Sequence, residues 1–300
     1  MRTLYYYCAP EVETARRDEF AQLIAAAQDA VQAAASAQEA APLAGAWQLV
    51  AVSDYDALIK ATTLRAKGKT VTGLALEPED VLLELTPPMA GVGLRLGSLA
   101  NFKPLVIDFE QVAVRQRLLR GGRQKEAVAR AVMAGLPDGA LVFDATAGLG
   151  RESMILAHAG ANVLSFERQL PIWCILHDGL LRAGRSRFYP FPVPTLHPLG
   201  TIKDYRGTER PEVIYYDPMF PERAGSAQVK KDMHIFQEVI GADTDNEDFL
   251  RAALSLATRR VVVKRPDYAP PLSYPGIELS YSVDGGQCRF DCYQADSFQE

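Results

Sequence analysis

Val142-Phe143-Asp144-Ala145-Thr146-Ala147-Gly148-Leu149-Gly150-Arg151-Glu152 decides how the rest of this chain is read. Apolar Leu141 to Phe143 predicts a short buried strand, and the acid Asp144 closes it. Small residues and two glycines follow, then Arg151 to Ala157 with helical character. Strand, tight glycine turn and helix form the first crossover of a nucleotide-binding sheet. Gly148 lets backbone approach a ligand where a Cβ would collide with it. The helix start offers free N–H groups to polar or anionic atoms. Taken alone, Gly148-x-Gly150 is a weak signal, and a structural turn with no ligand is its plainer reading.

The alternation continues downstream. Asn162 to Phe166 predicts a second strand ending in Glu167-Arg168. An acid at that tip is placed to hold a ribose diol by charge-assisted hydrogen bonds. Pro171 to Arg182 predicts a helix with proline in its first turn. Thr195 to Gly200 predicts the end of a third strand and its loop. Val213 to Tyr216 is the fourth strand, Phe249 to Ala257 a helix, and Val261 to Pro266 the fifth strand and its exit. Ile277 to Val283, Asp284-Gly285-Gly286, and Gln287 to Tyr293 predict two strands joined by a tight turn. The expected fold class is α/β. A parallel sheet finished by an antiparallel hairpin resembles a class I methyltransferase more than a dehydrogenase.

Upstream, residues 11 to 41 are rich in Ala, Gln and Glu, and Phe20, Leu23, Ile24 and Val31 give them a thin apolar stripe. A surface helix ended by Pro42 and Gly45 is expected. Trp47 to Val52, Val71 to Leu76, Val81 to Leu85 and Leu105 to Phe109 read as strands. The domain expectation is therefore a smaller α+β N-terminal domain over 1–112 and the nucleotide-binding domain over 113–300. Between them lies a basic stretch with Arg115, Arg117, Arg120, Arg123 and Lys125. It reads either as a solvated linker or as a clamp for a phosphate backbone. Glu126 to Ala134 then looks helical.

The 300 residues are 48% hydrophobic and 23% charged, a globular composition. The net charge of −5 argues against an all-over nucleic-acid binder but permits a local basic patch. There is no run of about 20 apolar residues that would suit a membrane span. Met1 to Tyr7 lacks the apolar stretch and cleavage site of a signal peptide. Cys8, Cys174, Cys288 and Cys292 are too scattered for a disulfide framework, and no second pair is spaced for zinc. Reduced thiols, a cytoplasmic location, no metal and no membrane partner are expected.

Asp217-Pro218-Met219-Phe220 is the most informative short motif. It resembles the Asp/Asn-Pro-Pro-Tyr/Phe motif of methyltransferases that modify exocyclic amines of bases, with Met219 in place of the second proline. Such an amine is a poor nucleophile because its lone pair is delocalised into the ring. Acceptors on its hydrogens localise that pair, and the Asp217 side chain and Pro218 carbonyl are placed to act so. An aromatic at Phe220 would stack on an extruded base, worth roughly 1–3 kcal/mol. The plainer reading is a strand ending in a proline turn with a core phenylalanine. Lys230, Lys231, Lys264 and Arg265 are candidates for phosphate contacts or ordinary surface charge.

The long strings Asp144 to Arg151, Tyr216 to Pro221, Val229-Lys230-Lys231 with Phe236-Gln237, and Val261 to Leu272 resemble the ribosomal RNA small subunit methyltransferase J family. The resemblance runs from roughly residue 105 onward; the Ala-rich segment before Pro42 departs from it. It implies methyl transfer from S-adenosyl-L-methionine to N2 of a guanine in small-subunit (16S) rRNA, with rRNA or the 30S subunit as partner. Carried over by motif, it implies cofactor contacts at Arg151, Glu152, Glu167, Arg168, Leu199, Gly200 and Asp217, beside Asp144 and Gly148 of the glycine loop. It leaves Asp217, Pro218 and Phe220 to present the amine. A catalytically idle RNA-binding protein that kept the fold is one alternative, and two more stand beside it. One is an amine methyltransferase acting on another nucleic acid or a protein. The other is a nicotinamide-dependent oxidoreductase, whose fingerprint Gly148-x-Gly150-x-x-Ser153 partly mimics without its third glycine.

Overall fold

The computed structural model describes residues 2–36, 47–100, 102–219 and 246–295. Its contacts group these into two units. One holds residues up to Asp108 together with Arg168–Arg182, and the other holds residues 109–167, 183–219 and 246–295.

In the first unit, strands β1 (Arg2–Cys8), β2 (Trp47–Ala51), β3 (Val81–Leu85), β4 (Gly93–Leu96) and β5 (Leu105–Val106) form one sheet in the order β2-β1-β3-β4-β5. β1 runs parallel to β2 and β3, and the remaining pairs are antiparallel. Helix α1 (Thr14–Ser36) buries Phe20, Leu23, Ile24 and Ala27 at three- and four-residue spacing, as an amphipathic helix must. Helix α2 (Tyr55–Ala66) begins at Asp54, whose side chain accepts from the Ala57 N–H. Val71–Leu76 is not a strand. Gly68 and Gly73 take φ of +73° and +93°, and the Leu76 N–H donates to Thr62 Oγ1 instead of joining a ladder. Helix α6 (Leu170–Arg185) carries Asp178, which accepts from the Val92 N–H at 2.9 Å and meets Arg16 and Arg182. Burial pushes Asp178 up, but the two guanidiniums outweigh it and hold the carboxyl below its usual range.

In the second unit, helices α3 (Val112–Arg120) and α4 (Ala127–Val132) precede β6 (Leu141–Asp144), α5 (Arg151–His158) and β7 (Asn162–Ser165). Then come β8 (Thr195–Leu196), β9 (Val213–Tyr216), α7 (Asn246–Leu256), β10 (Arg260–Pro266), β11 (Tyr281–Asp284) and β12 (Cys288–Gln294). The strand order is β11-β12-β10-β9-β6-β7-β8. β10, β9, β6, β7 and β8 are parallel, and β12 and β11 close the sheet antiparallel. This is the α/β sheet with a terminal hairpin that the sequence predicts.

The parallel strands are near-continuous apolar runs because both faces are covered. Val261 and Val263 pack with Phe143, Ile214 and Tyr216 against Phe249, Leu250, Ala253 and Leu254 of α7. The Tyr216 and Phe249 rings stack at 3.7 Å. Each such fully buried side chain contributes roughly 1.5–3 kcal/mol. The order reverses between β6 and β9, because the chain runs outward through β7 and β8 and returns to the other side of β6. Ligands of open α/β sheets bind outside the carboxyl ends at such a reversal.

Candidate active site

The loop after β6 is laced to the strand tips on both sides. The Ala145 N–H donates to the Tyr215 carbonyl at 2.9 Å, and the Ala147 N–H to the Phe166 carbonyl at 2.9 Å. Gly148 and Gly150 then turn the chain at φ of +53° and +70°, where an L side chain would be strained. Gly150 caps α5 without any side-chain hydrogen bond, so the helix start presents backbone donors.

Asp144 is buried at the root of this loop, 1% exposed. It accepts from Ser153 Oγ at 2.5 Å and from the Thr146 N–H at 3.3 Å. Ser165 Oγ in turn donates to Ser153 Oγ at 3.0 Å. Burial outweighs these hydrogen bonds and pushes the Asp144 carboxyl up to about 7.

Glu167 is 5% exposed, and its Oε2 accepts from the Gly148 N–H at 3.1 Å, which turns the carboxylate over the glycine loop. The Gly200 N–H donates to the Glu167 carbonyl at 3.1 Å, so the loop after β8 is held at the same tip. Leu199 and Gly200 are half-buried there. Gly200 has φ of +150°, and a Cβ on it would lie 2.7 Å from Asp204 Oδ2. Beneath, the His197 ring stacks on Phe166 at 4.5 Å.

Asp217 follows β9. Its N–H donates to Thr146 Oγ1 at 2.8 Å, which joins the fourth-strand motif directly to the glycine loop. β10 pairs with β9 in the register Val263 to Tyr216, so the next residues, Lys264 and Asp217, emerge side by side. Lys264 Nζ meets Asp217 Oδ2 at 2.7 Å, with each side chain about 30% exposed. Burial pushes Asp217 up, Lys264 pulls it back, and Glu152 on the first turn of α5 pushes it up again. The Asp217 carboxylate holds the Lys264 ammonium above its ordinary range, against its own burial. Pro218 is buried and Met219 half-buried.

Asp144, Gly148, Glu152, Glu167, Leu199, Gly200, Asp217 and Pro218 thus gather at one end of one sheet. Arg151 is exposed at the start of α5. Arg168 is half-buried and groups with the first unit. Phe220, Lys230, Lys231, Phe236 and Gln237 lie outside the described residues. Sequence reasoning missed three contributors. Thr146 supplies the acceptor for Asp217, Ser153 the donor for Asp144, and Lys264, read as a phosphate or surface cation, is committed to Asp217. Strand register brings Lys264 there, and the family string Val261 to Leu272 that contains it does not say which group it meets.

The basic stretch is helix α3 and the turn after it. Arg115 lies over the Phe188 ring at 3.4 Å, Arg117 pairs with Glu126 at 3.0 Å, and Arg123 pairs with Asp138 at 3.0 Å. Arg120 and Lys125 are exposed.

A family model described as "Putative SAM-dependent methyltransferase" matches residues 69–295. The ribosomal RNA small subunit methyltransferase J of Edwardsiella ictaluri is 41% identical over 233 residues, covering 74% of this chain and 89% of that protein. The protein of the same name from Yersinia enterocolitica is 40% identical over 233 residues, covering 74% and 88%. The chain belongs to the ribosomal RNA small subunit methyltransferase J family. A crystal structure of a SAM-dependent methyltransferase from Neisseria gonorrhoeae shares the fold at a TM-score of 0.60 and 23% identity, over 99% of this chain and 97% of that one. Membership removes the oxidoreductase alternative. The residues present also fit the family's cofactor, S-adenosylmethionine. The positive-φ glycines leave backbone open to a ligand, the helix start lacks a side-chain cap, and a buried carboxylate is turned over the loop.

Among the described residues, no helix is long and apolar enough to cross a membrane. No group of three or more His, Cys, Asp or Glu there is arranged to hold a metal. The four cysteines carry free thiols.

Proposed function

We propose that this chain transfers a methyl group from S-adenosylmethionine to the exocyclic N2 of a guanine in small-subunit (16S) rRNA, in the cytoplasm. The observation that best supports the reading is the 2.8 Å hydrogen bond from the Asp217 N–H to Thr146 Oγ1, which ties the Asp-Pro-Met segment to the glycine loop.

When bound, S-adenosylmethionine supplies an electrophilic methyl on a sulfonium. Glu167 would hold its ribose hydroxyls, and the Leu199–Gly200 backbone would lie beside the base. Asp144, Arg151 and Glu152 would sit around the methionine end, with Arg168 as a further contact. The chain's remaining task is to make a delocalised amine attack. The Asp217 carboxylate and the Pro218 carbonyl accept its two hydrogens and turn the nitrogen lone pair toward the methyl. Holding the amine in line with that methyl would be the contribution of these two acceptors to the rate. N2 takes the methyl as its bond to sulfur breaks, leaving a neutral thioether, and gives up one proton to water, so no strong base is needed. Phe220 would stack on the extruded guanine. Arg120 and Lys125 are exposed for backbone phosphates.

The test is the rRNA of a strain lacking this gene, mapped by mass spectrometry. One small-subunit guanine should lose an N2-methyl and regain it on complementation. Unchanged small-subunit rRNA, or loss of a methyl from another molecule, overturns the reading and favours a different amine substrate.

A further inference from the structure

We propose that Lys264 is a positioning residue for methyl transfer: its ammonium fixes the Asp217 carboxylate as a pure hydrogen-bond acceptor and reserves Oδ1 for the target amine. This rests on the role given to Asp217 above.

The geometry is specific. Lys264 Nζ takes Oδ2 at 2.7 Å, and among the described residues Oδ1 accepts nothing. The backbone N–H of Asp217 is already committed to Thr146, so the residue is held at its main chain and at one carboxylate oxygen. Lys264 reaches it from β10, an adjacent strand in fixed register, so the pair is built into the sheet and not into a loop.

The surroundings make a cation necessary. Glu152 faces Asp217 from α5, Asp144 and Tyr215 from β6 and β9, and Cys288 from β12. Two of these are acids, and the Tyr215 hydroxyl is buried with no hydrogen-bond partner among the described residues. Burial and Glu152 both favour a protonated Asp217. A protonated carboxyl is a donor as well as an acceptor, and its O–H would meet the amine N–H head on. Lys264 removes that form. An asparagine at the same place would need no cation, because its amide oxygen accepts at any pH. An aspartate in this motif therefore requires a partner that an asparagine does not.

The first readout needs no substrate. Carboxyl-carbon NMR of the full chain labelled at aspartate follows the Asp217 titration, assigned with Asp217→Asn. In Lys264→Met it should move up by at least about one pH unit relative to wild type. An unmoved titration overturns the proposal. The second readout is activity. Lys264→Met should lower kcat by roughly 10–100-fold at neutral pH, the loss expected for one partly exposed charged hydrogen bond at the reacting group. The deficit should shrink as pH rises. Lys264→Arg should recover most of the rate, and Asp217→Asn with Lys264→Met should exceed Lys264→Met alone. Parallel pH–rate profiles for wild type and Lys264→Met, or an arginine variant no better than methionine, overturn it. If Lys264→Met does not fold, Lys264→Gln is read by the same two measurements. Failure of wild type to methylate rRNA would instead refute the reaction assigned above, while the NMR titration would still decide the pair.

Discussion

Replacing Asp144 by asparagine should remove a contribution to stability that falls as pH rises. Asp144 is 1% exposed and its carboxyl is raised from 3.8 to about 7, chiefly by burial. A folded-state value above the unfolded one means that the native state binds more protons between the two. The contribution of Asp144 to stability is therefore full below about pH 4 and falls as pH rises toward 7, the reverse of a salt-bridged aspartate such as Asp178. A shift of about three units corresponds to roughly 4 kcal/mol, of which about 2.5 kcal/mol should be lost between about pH 5 and pH 8. Asparagine is the shape of the neutral acid. The hydroxyl chain from Ser165 through Ser153 to Asp144 can reverse direction, so its amide can donate to Ser153 Oγ as a protonated Asp144 would. Urea unfolding of both proteins across this range isolates Asp144 and its coupling to Glu152 and Asp217, since groups that do not interact with it cancel in the difference. The variant should gain on wild type by about 2–3 kcal/mol from acid to alkaline pH. Parallel stability curves would show that Asp144 is ionised in the folded protein, and the account of its burial would fail.

Glu167→Ala removes the carboxylate that Gly148 orients. Cofactor affinity measured by calorimetry should fall 10- to 100-fold, about 1.5–3 kcal/mol for lost charged hydrogen bonds; unchanged affinity would contradict the ribose assignment. Arg95→Met strands Glu84, which is 1% exposed and held by Arg95 at 2.8 and 3.1 Å and by the Tyr55 hydroxyl at 3.0 Å. Denaturation of the full chain should show the first unit weakened by about 3–5 kcal/mol, whereas a loss below about 1 kcal/mol would show that Glu84 does not depend on Arg95.

The parallel sheet was legible because strands buried on both faces must be apolar throughout. Val142-Phe143, Val213 to Tyr216 and Val261 to Val263 meet that requirement, and glycine or proline punctuates each. The first unit was harder to read. β1 carries Tyr5, Tyr6 and Tyr7 in succession, and with Leu4 alone fully buried it shows no period-two pattern. α2 contains Ile59, Thr62 and Thr63, which weaken its helical signal. Val71–Leu76 has apolar alternation but lacks a ladder, because its glycines turn the backbone away. At the site, the single-strand features could be read directly: the glycines, Glu167 at a strand tip and Asp217 at another. Contacts made across strands could not. The Asp217–Thr146 and Asp217–Lys264 contacts depend on which strands are neighbours and in what register. The basic stretch shows the same limit, since Phe188, Glu126 and Asp138 engage three of its five cations.

The most direct measurement is transfer of labelled methyl from S-adenosylmethionine to small-subunit rRNA lacking the modification, by wild type and by Asp217→Ala. The label should be recovered as N2-methylguanine at one position with wild type. The variant should keep its fold by circular dichroism and transfer nothing measurable. Label on another base, or near-normal turnover by the variant, would contradict the claim that Asp217 beside the glycine loop is where the amine is methylated.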